Sequence, residues 1–318
     1  MWLCAEGFGM APQSDIKIAV LIPCCNEGLT VGKVIKDFTR ELPGADIYVF
    51  DNNSTDASCQ IARECGAILR KEARQGKGFV VASMFQEIES DIYVLVDADD
   101  TYPAEDIHRL LQPVLAGEAD MAVGTRVSER NRGSFRQFHL LGNRLICGAV
   151  NLVFGTRLTD IFSGYRVFNA RIVTQIPVVS RGFELETEMT IHCLYYGMKV
   201  LEMDIPYRER PQGSYSKLST FRDGWRVVWQ LFRLFRSCKP LTFFGGLGLV
   251  LFLLGALAGA FPIHDYISRP DHYVVHVPLA ILATGLMILS GGCIFLGILL
   301  HALNWRFLEL HNVMTRRR

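Results

Sequence analysis

The stretch with the densest chemical potential is YVLVDADDTYP, residues 93–103, where an apolar run ends in three carboxylates, Asp97, Asp99 and Asp100. Alternate side chains of an extended chain share a side, so Asp97 and Asp99 can together offer oxygen ligands to Mg²⁺ or Mn²⁺. A divalent ion bridging a diphosphate would neutralise the charge that develops on a departing nucleoside diphosphate. D-x-D by itself also fits an acidic turn closing a strand, so its meaning depends on its surroundings.

Those surroundings are regular. Short β-branched runs alternate with helical stretches: Ile16–Pro23 (strand), Val31–Leu42 (helix), Asp46–Asp51 (strand), Asp56–Cys65 (helix), Gly78–Glu87 (helix) and Ile92–Asp97 (strand). This alternation predicts βαβ units and a mostly parallel sheet within one α/β domain, residues 15–218. In such sheets ligands gather beyond the carboxyl ends of the strands. Asn26-Glu27, Asp51-Asn52-Asn53-Ser54 and Asp97-Ala98-Asp99-Asp100 all fall there.

Composition narrows the class. Of 318 residues, half are hydrophobic and 20% charged, with a mean hydropathy of +0.21, which excludes disordered, collagen-like and coiled-coil chains. A net charge of +1 gives no case for nucleic-acid binding. Nine cysteines without a C-x-x-C pair argue against a disulfide framework or zinc site and for a reducing, cytosol-facing catalytic part. The eight histidines lack metal-ligand spacing, and the N-terminus lacks the cationic and apolar regions of a secretory signal.

The apolar residues are concentrated late. Leu241–Ile263 and Val277–Leu300 run for 23 and 24 residues without a charge. At about 1.5 Å per helical residue, each suffices to cross a hydrocarbon core of roughly 30 Å, predicting two transmembrane helices within residues 241–318. The connecting loop, FPIHDYISRPDHYVVH, holds Asp265 and Asp271 against a lone Arg269. Arg222, Arg226, Arg233, Arg236 and Lys239 precede the first span, and Arg306 and Arg316 to Arg318 follow the second. Both flanks are therefore expected on the cytoplasmic side. Gly255 and Gly259 form a G-x-x-x-G pair that permits close helix packing, with a homo-oligomer through these helices as one use of it. Between the domain and the spans, residues 219–240 read as an amphipathic juxtamembrane helix. Phe221, Trp225, Val228, Phe232 and Phe235 share one face, a pattern suited to the lipid headgroup layer or to ordinary domain packing.

IPCCNE (22–27), DNNSTD (51–56), QGKG (75–78), DADDTYP (97–103), VGTR (123–126), DIFSGYRVF (160–168), GFELETEM (182–189) and GSYSKL (213–218) together resemble the motifs of family 2 glycosyltransferases with the GT-A, Rossmann-like fold. With two C-terminal spans, the set is similar to the polyisoprenyl-phosphate glycosyltransferases, including dolichyl-phosphate mannose synthases. The resemblance implies a donor site at Pro23, Asn26, Glu27, Asp51, Gly76, Lys77 and Asp97, with Asp97 and Asp99 as metal ligands. It places the acceptor phosphate at Arg126, Arg144, Arg166, Ser214, Ser216 and Lys217, and makes Asp97, Asp99, Arg126 and Arg144 the catalytic core. Read only as residues, Asp51 also fits a strand-to-turn cap, Lys77 and Lys217 solvated surface lysines, and Arg144 and Arg166 structural ion-pair partners. Glu184, Glu186 and Glu188 fit an acid-rich helix N-terminus.

The implied reaction is inverting transfer of a hexose from a nucleoside-diphosphate sugar to a polyprenyl (undecaprenyl or dolichyl) phosphate. The enzyme would be integral to a bacterial or archaeal plasma membrane and contact membrane lipids. UDP-sugars are favoured over GDP-mannose by overall resemblance. Transfer to a lipid hydroxyl and a non-catalytic nucleotide-sugar-binding scaffold are the alternatives. Processive synthases of this superfamily carry Q-x-x-R-W, whereas Gln230-Leu231-Phe232-Arg233-Leu234 lacks the tryptophan.

Overall fold

IAVLIPC is apolar at both alternations, the pattern of a strand buried on both faces, and Ile18–Cys24 forms β1. The computed structural model describes residues 16–126, 134–182, 184–211, 213, 220–270 and 273–315. Six further strands follow: β2 (Asp46–Asp51), β3 (Ile68–Lys71), β4 (Ile92–Leu95), β5 (Met121–Arg126), β6 (Arg166–Asn169) and β7 (Val200–Ile205). They make one sheet in the order β3-β2-β1-β4-β6-β5-β7. All pairings are parallel except the two made by β6, which runs antiparallel to β4 and β5.

Helices cover both faces. The apolar spacing of α1 (Val31–Glu41) buries Val31, Val34, Ile35 and Phe38. These pack in one layer with Val20 and Ile22 and with Ile107 and Leu110 of α4 (Ile107–Leu115). The alternate residues Ala19 and Leu21 point into the other layer. There they meet Val80, Val81 and Met84 of α3 (Lys77–Glu87) and Leu185 and Met189 of α7 (Leu185–Tyr195). The shorter α2 (Ser58–Glu64) and α6 (Ala170–Gln175) and the long α5 (Ser134–Phe154) complete this part.

The reversed β6 matters for the site. Leu95 pairs with Arg166, so the segment entering β6 lies at the carboxyl end of β4. The carboxyl ends of β5 and β7 reach the same edge, Arg126 opposite Ile205.

The chain divides into two compact units at Gln230–Leu231, within α8 (Thr220–Cys238). Arg226, Val228, Trp229, Phe232, Arg233 and Arg236 are exposed on α8. The side chains of Phe221, Arg222 and Trp225 lie outside the described residues.

Two helices long and apolar enough to cross a membrane follow, α9 (Pro240–Ser268) and α10 (Val277–Thr315). The expected connecting loop is shorter than its sequence suggested, because α9 continues through Phe261–Ser268. An Asp265–His276 ion pair at 2.6 Å ties its two ends. The glycines are spent inside the hairpin: Gly255 lies against Ala283 and Leu286, and Gly248 against Ile294 and the Ser290 backbone. The Ser290 hydroxyl donates to the Gly248 carbonyl at 2.8 Å. Gly248→Val should therefore destabilise the hairpin by about 1–3 kcal/mol through overpacking. Gly245, with nothing within 4 Å of an added Cβ, is the control. The SDS-induced unfolding midpoint of the full-length protein checks this: Gly248→Val should lower it and Gly245→Val should leave it nearly unchanged.

Candidate active site

Three loops leave the carboxyl ends of β1, β2 and β4, and each contains a non-glycine residue with positive φ: Asn26 at 51°, Asn53 at 61° and Asp100 at 57°. Asn and Asp tolerate this left-handed region better than other side chains, and their recurrence at one sheet edge marks where the backbone is bent for a purpose. The first two loops are stitched together. Asn26 N donates to Ser54 Oγ at 2.9 Å, Thr55 N to Asn26 Oδ1 at 2.7 Å, and Glu27 N to Ser58 Oγ at 2.8 Å. Asp51 ends β2 with a buried carboxylate that accepts from Ser54 N at 3.1 Å, while Pro23 pairs with Phe50 one residue earlier.

Asn52, to which the motifs assign no separate role, organises the next segment. Its amide donates to the carbonyls of Glu72 and Arg74 and accepts from Gly76 N at 2.8 Å. Gly76 has φ 138°, and a Cβ there would strike the Arg181 carbonyl; glycine is required on both counts. This places Lys77 at the start of α3, aimed at the D-x-D segment.

Each conspicuous residue of DADDTYP has a distinct partner. Asp97 Oδ1 accepts from Lys77 Nζ at 2.5 Å, and the same ammonium reaches Glu186 Oε1 at 2.6 Å. Asp99 accepts from Thr101 Oγ1 at 2.6 Å and is paired with Arg210 Nη2 at 2.5 Å. Asp100 turns to Lys33 of α1 at 2.6 Å. Tyr102 Oη accepts from Gly164 N at 3.0 Å, and an added Cβ at Gly164 would run into the Asp97 carboxylate. Lys77 is only 10% exposed and Glu186 only 5%. Burial disfavours the Lys77 ammonium, but the Asp97 and Glu186 charges outweigh it and raise its pKa. Burial, then the Asp97 charge, raises the pKa of Asp99 against the opposing pull of Arg210.

Arg126, ending β5, forms a two-pronged pair with Asp160, Nε to Oδ2 at 2.7 Å and Nη2 to Oδ1 at 2.8 Å. Burial raises the Asp160 pKa, yet Arg126 and backbone donors more than offset it and keep the group below the usual value. Glu202 of β7 fixes this loop by accepting from Thr159 N at 2.7 Å and Asp160 N at 3.0 Å. Asn143 of α5 donates to the Thr159 carbonyl at 2.9 Å, tying Arg144, the exposed next residue, to the same loop.

The expected acceptor role of Arg166 is corrected. Its side chain is fully buried. Nε donates to the Ser163 carbonyl at 2.9 Å, Nη2 to the Ile161 carbonyl at 3.0 Å and Nη1 to Thr190 Oγ1 at 2.9 Å. The guanidinium is a structural cross-link behind the site. Ser214, Ser216 and Lys217 lie outside the described residues. Conversely, Arg210 and Gly164 were missed as site residues, and Glu186 acquires a definite place. The other acids serve backbone: Glu188 accepts from Ser180 N at 2.8 Å and Glu184 from Gly182 N at 3.2 Å.

The D-x-D residues fit a divalent cation. Asp97, Asp99, Glu186 and Glu27 outnumber Lys77 and Arg210, and the Asp99 pKa is raised first by burial and then by the Asp97 charge, both of which a bound cation would offset. Among the described residues no cluster of three or more His, Cys, Asp or Glu forms a complete metal cage. Mg²⁺ or Mn²⁺ at two carboxylates would complete its shell with phosphate and water oxygens.

Removing the Arg166 guanidinium would orphan two buried carbonyls and leave a cavity. Arg166→Ala should cost about 3 kcal/mol or more, read as a lower thermal unfolding midpoint of the full-length protein.

Residues 19–176 match the profile of Glycosyl transferase family 2. The chain is 30% identical over 262 residues to the glycosyltransferase AglJ of Haloferax volcanii, covering 82% of this chain and 86% of that protein. It is 27% identical over 229 residues to an undecaprenyl-phosphate mannosyltransferase of Micrococcus luteus, covering 67% and 92%. In fold it is similar to glucosyl-3-phosphoglycerate synthase from Mycobacterium tuberculosis, solved with Mn²⁺, UDP-glucose and phosphoglyceric acid. That match has a TM-score of 0.56 at 20% identity and covers 71% of this chain and 80% of the other. The seven-stranded sheet is thus of the GT-A kind, and the chain belongs to glycosyl transferase family 2 as a glycosyltransferase.

Proposed function

We propose that this glycosyltransferase moves a hexose from a nucleoside-diphosphate sugar, with UDP favoured over GDP, to a polyprenyl phosphate at the cytoplasmic membrane face. The observation that carries the reading is the pairing of Asp97 and Asp99 with Lys77 and Arg210 at the sheet edge where β2 also ends in Asp51, on a chain that also has two helices apolar and long enough to span a membrane. The similarity to an undecaprenyl-phosphate mannosyltransferase supports the acceptor class.

The donor is assigned to the edge built by Pro23, Asn26, Glu27, Asp51, Gly76 and Lys77. Asp97 and Asp99 would hold Mg²⁺ or Mn²⁺, which when bound supplies positive charge to the leaving diphosphate. Lys77 fixes the Asp97 carboxylate and Thr101 that of Asp99, so both ligands are oriented in advance.

The acceptor chemistry follows from what the carboxylates are doing. A sugar or lipid hydroxyl must lose a proton and needs a carboxylate base. Glu186 is held by an ammonium and Asp160 by a guanidinium, so both carboxylates are already engaged by the chain's own cations. A lipid phosphate is already anionic and needs no base. Its oxygen attacks the anomeric carbon as the bond to the diphosphate oxygen breaks, inverting that carbon. Arg126 and Arg144 are assigned to the acceptor phosphate, the former oriented by Asp160. On α8, exposed Val228, Trp229 and Phe232 with Arg226, Arg233 and Arg236 suit a helix lying among lipid headgroups.

Membranes containing the protein, supplied with UDP- and GDP-sugars and either undecaprenyl phosphate or undecaprenol, test the reading by product mass. Product from the phosphate alone is expected; product from undecaprenol would favour the hydroxyl alternative. EDTA should abolish transfer and Mg²⁺ or Mn²⁺ restore it, while Asp97→Asn and Asp99→Asn each lower turnover at least about a hundredfold. Full activity in excess EDTA would remove the metal assignment. Arg126→Gln should raise KM for the lipid phosphate and lower turnover, with UDP affinity by calorimetry close to wild type. Lost UDP affinity with an unchanged acceptor KM would move Arg126 to the donor side.

A further inference from the structure

Both D-x-D carboxylates are engaged by cations of the chain itself, but the two cations differ in how firmly they are held. Lys77 is 10% exposed and shared with the buried Glu186. Moving it would strand a carboxylate in the interior, and breaking a buried pair in this way is strongly destabilising. Arg210 sits five residues beyond the end of β7, outside any helix or strand, and its side chain is 28% exposed. Its Nη1 lies 3.7 Å from Glu27 Oε1, so a second carboxylate is within a small movement of the one it now holds.

We infer that Arg210 is a resting counter-ion of Asp99 that competes with the divalent cation for this carboxylate. The inference rests on the reading of Asp97 and Asp99 as metal ligands. A free metal ion must displace the guanidinium from Asp99 Oδ2, where the two stand 2.5 Å apart. A metal ion arriving with a nucleoside diphosphate also brings phosphate oxygens, new anionic partners for the released guanidinium. Metal and donor are thereby coupled: each binds better in the presence of the other, through one side chain that changes partner. Thr101 keeps Asp99 oriented throughout, since its hydroxyl and backbone donors approach Oδ1 and leave Oδ2 to the exchange. Arg210 is on this account a positioning residue for the metal site.

The test measures Mn²⁺ binding to the full-length protein from the electron paramagnetic resonance of free Mn²⁺, with and without UDP and with no sugar transfer involved. Wild type should bind Mn²⁺ weakly alone and much more tightly with UDP. Arg210→Gln and Arg210→Met should bind Mn²⁺ alone roughly two- to fivefold more tightly than wild type, the scale of one partly exposed charge pair. The gain conferred by UDP should shrink in both. A structural defect would weaken Mn²⁺ binding, so the direction of change separates the two roles. Unchanged or weaker Mn²⁺ affinity in both variants, with wild type binding Mn²⁺ alongside UDP, overturns the inference and leaves the metal reading intact. No Mn²⁺ binding by wild type even with UDP removes both.

Discussion

A lysine ammonium in the interior, shared between Asp97 at the end of β4 and Glu186 in the first turn of α7, is the interaction on which the reactive edge depends. An unpaired ammonium at that depth would be strongly disfavoured, so the two carboxylates must come to it. Three segments far apart in sequence converge for this reason. Asn52 holds the backbone that delivers Lys77, and Gly164 lets the Asp97 carboxylate lie against the strand entering β6. The triad fixes one carboxylate, whereas Asp99 is held by Thr101 and by an arginine on an irregular segment. The edge thus combines a carboxylate held by a buried lysine with one paired to a partly exposed arginine.

Behind this edge, a second line of polar contacts fixes the opposite side of the site. Glu202 holds the Thr159–Asp160 backbone, Asp160 holds Arg126, and Asn143 brings α5 onto Thr159. The residues assigned to the two anionic substrates are therefore oriented by strands of one sheet, β4 for the donor and, beyond the intervening β6, β5 with β7 for the acceptor. Bringing two anions together is the central electrostatic difficulty of the proposed transfer. Placing charged groups on rigid strand ends meets it without reorganisation during the reaction.

The sheet edge that carries Asp51, Asp97 and Asp99 was legible because its signals are local. Apolar runs ending in Asn26-Glu27, Asp51-Asn52 and Asp97-Ala98-Asp99 are strand ends by pattern alone, and parallel topology puts such ends together. The glycines and acids around them have geometric duties that spacing does not express. Glu186 looked like one acid among three at a helix start, and only the folded chain distinguishes it from Glu184 and Glu188, which accept from nearby backbone. Arg166 was overread for the converse reason: a motif records residue type but not accessibility. Arg210 escaped notice because it lies on an irregular segment after β7, and β7 itself carries no strong pattern. The hairpin was read from its apolar length, but Asp265 and His264 inside the last turns of α9 disguised how far that helix extends.

The buried Arg166 has a consequence for how the sheet finds its alignment. β6 is only four residues long, and Val167 and Phe168 point into opposite apolar layers. Either layer would accept either side chain, so hydrophobicity alone specifies the alignment of this strand poorly. Arg166 lies on the Phe168 side of the strand, where Thr190 of α7 meets its guanidinium. A slip of one residue would turn it toward the layer filled by Val20, Val94 and Ile107. There the buried charge would lose Thr190. An arginine that never meets substrate thus penalises the wrong pairing, and so keeps Gly164 against Asp97.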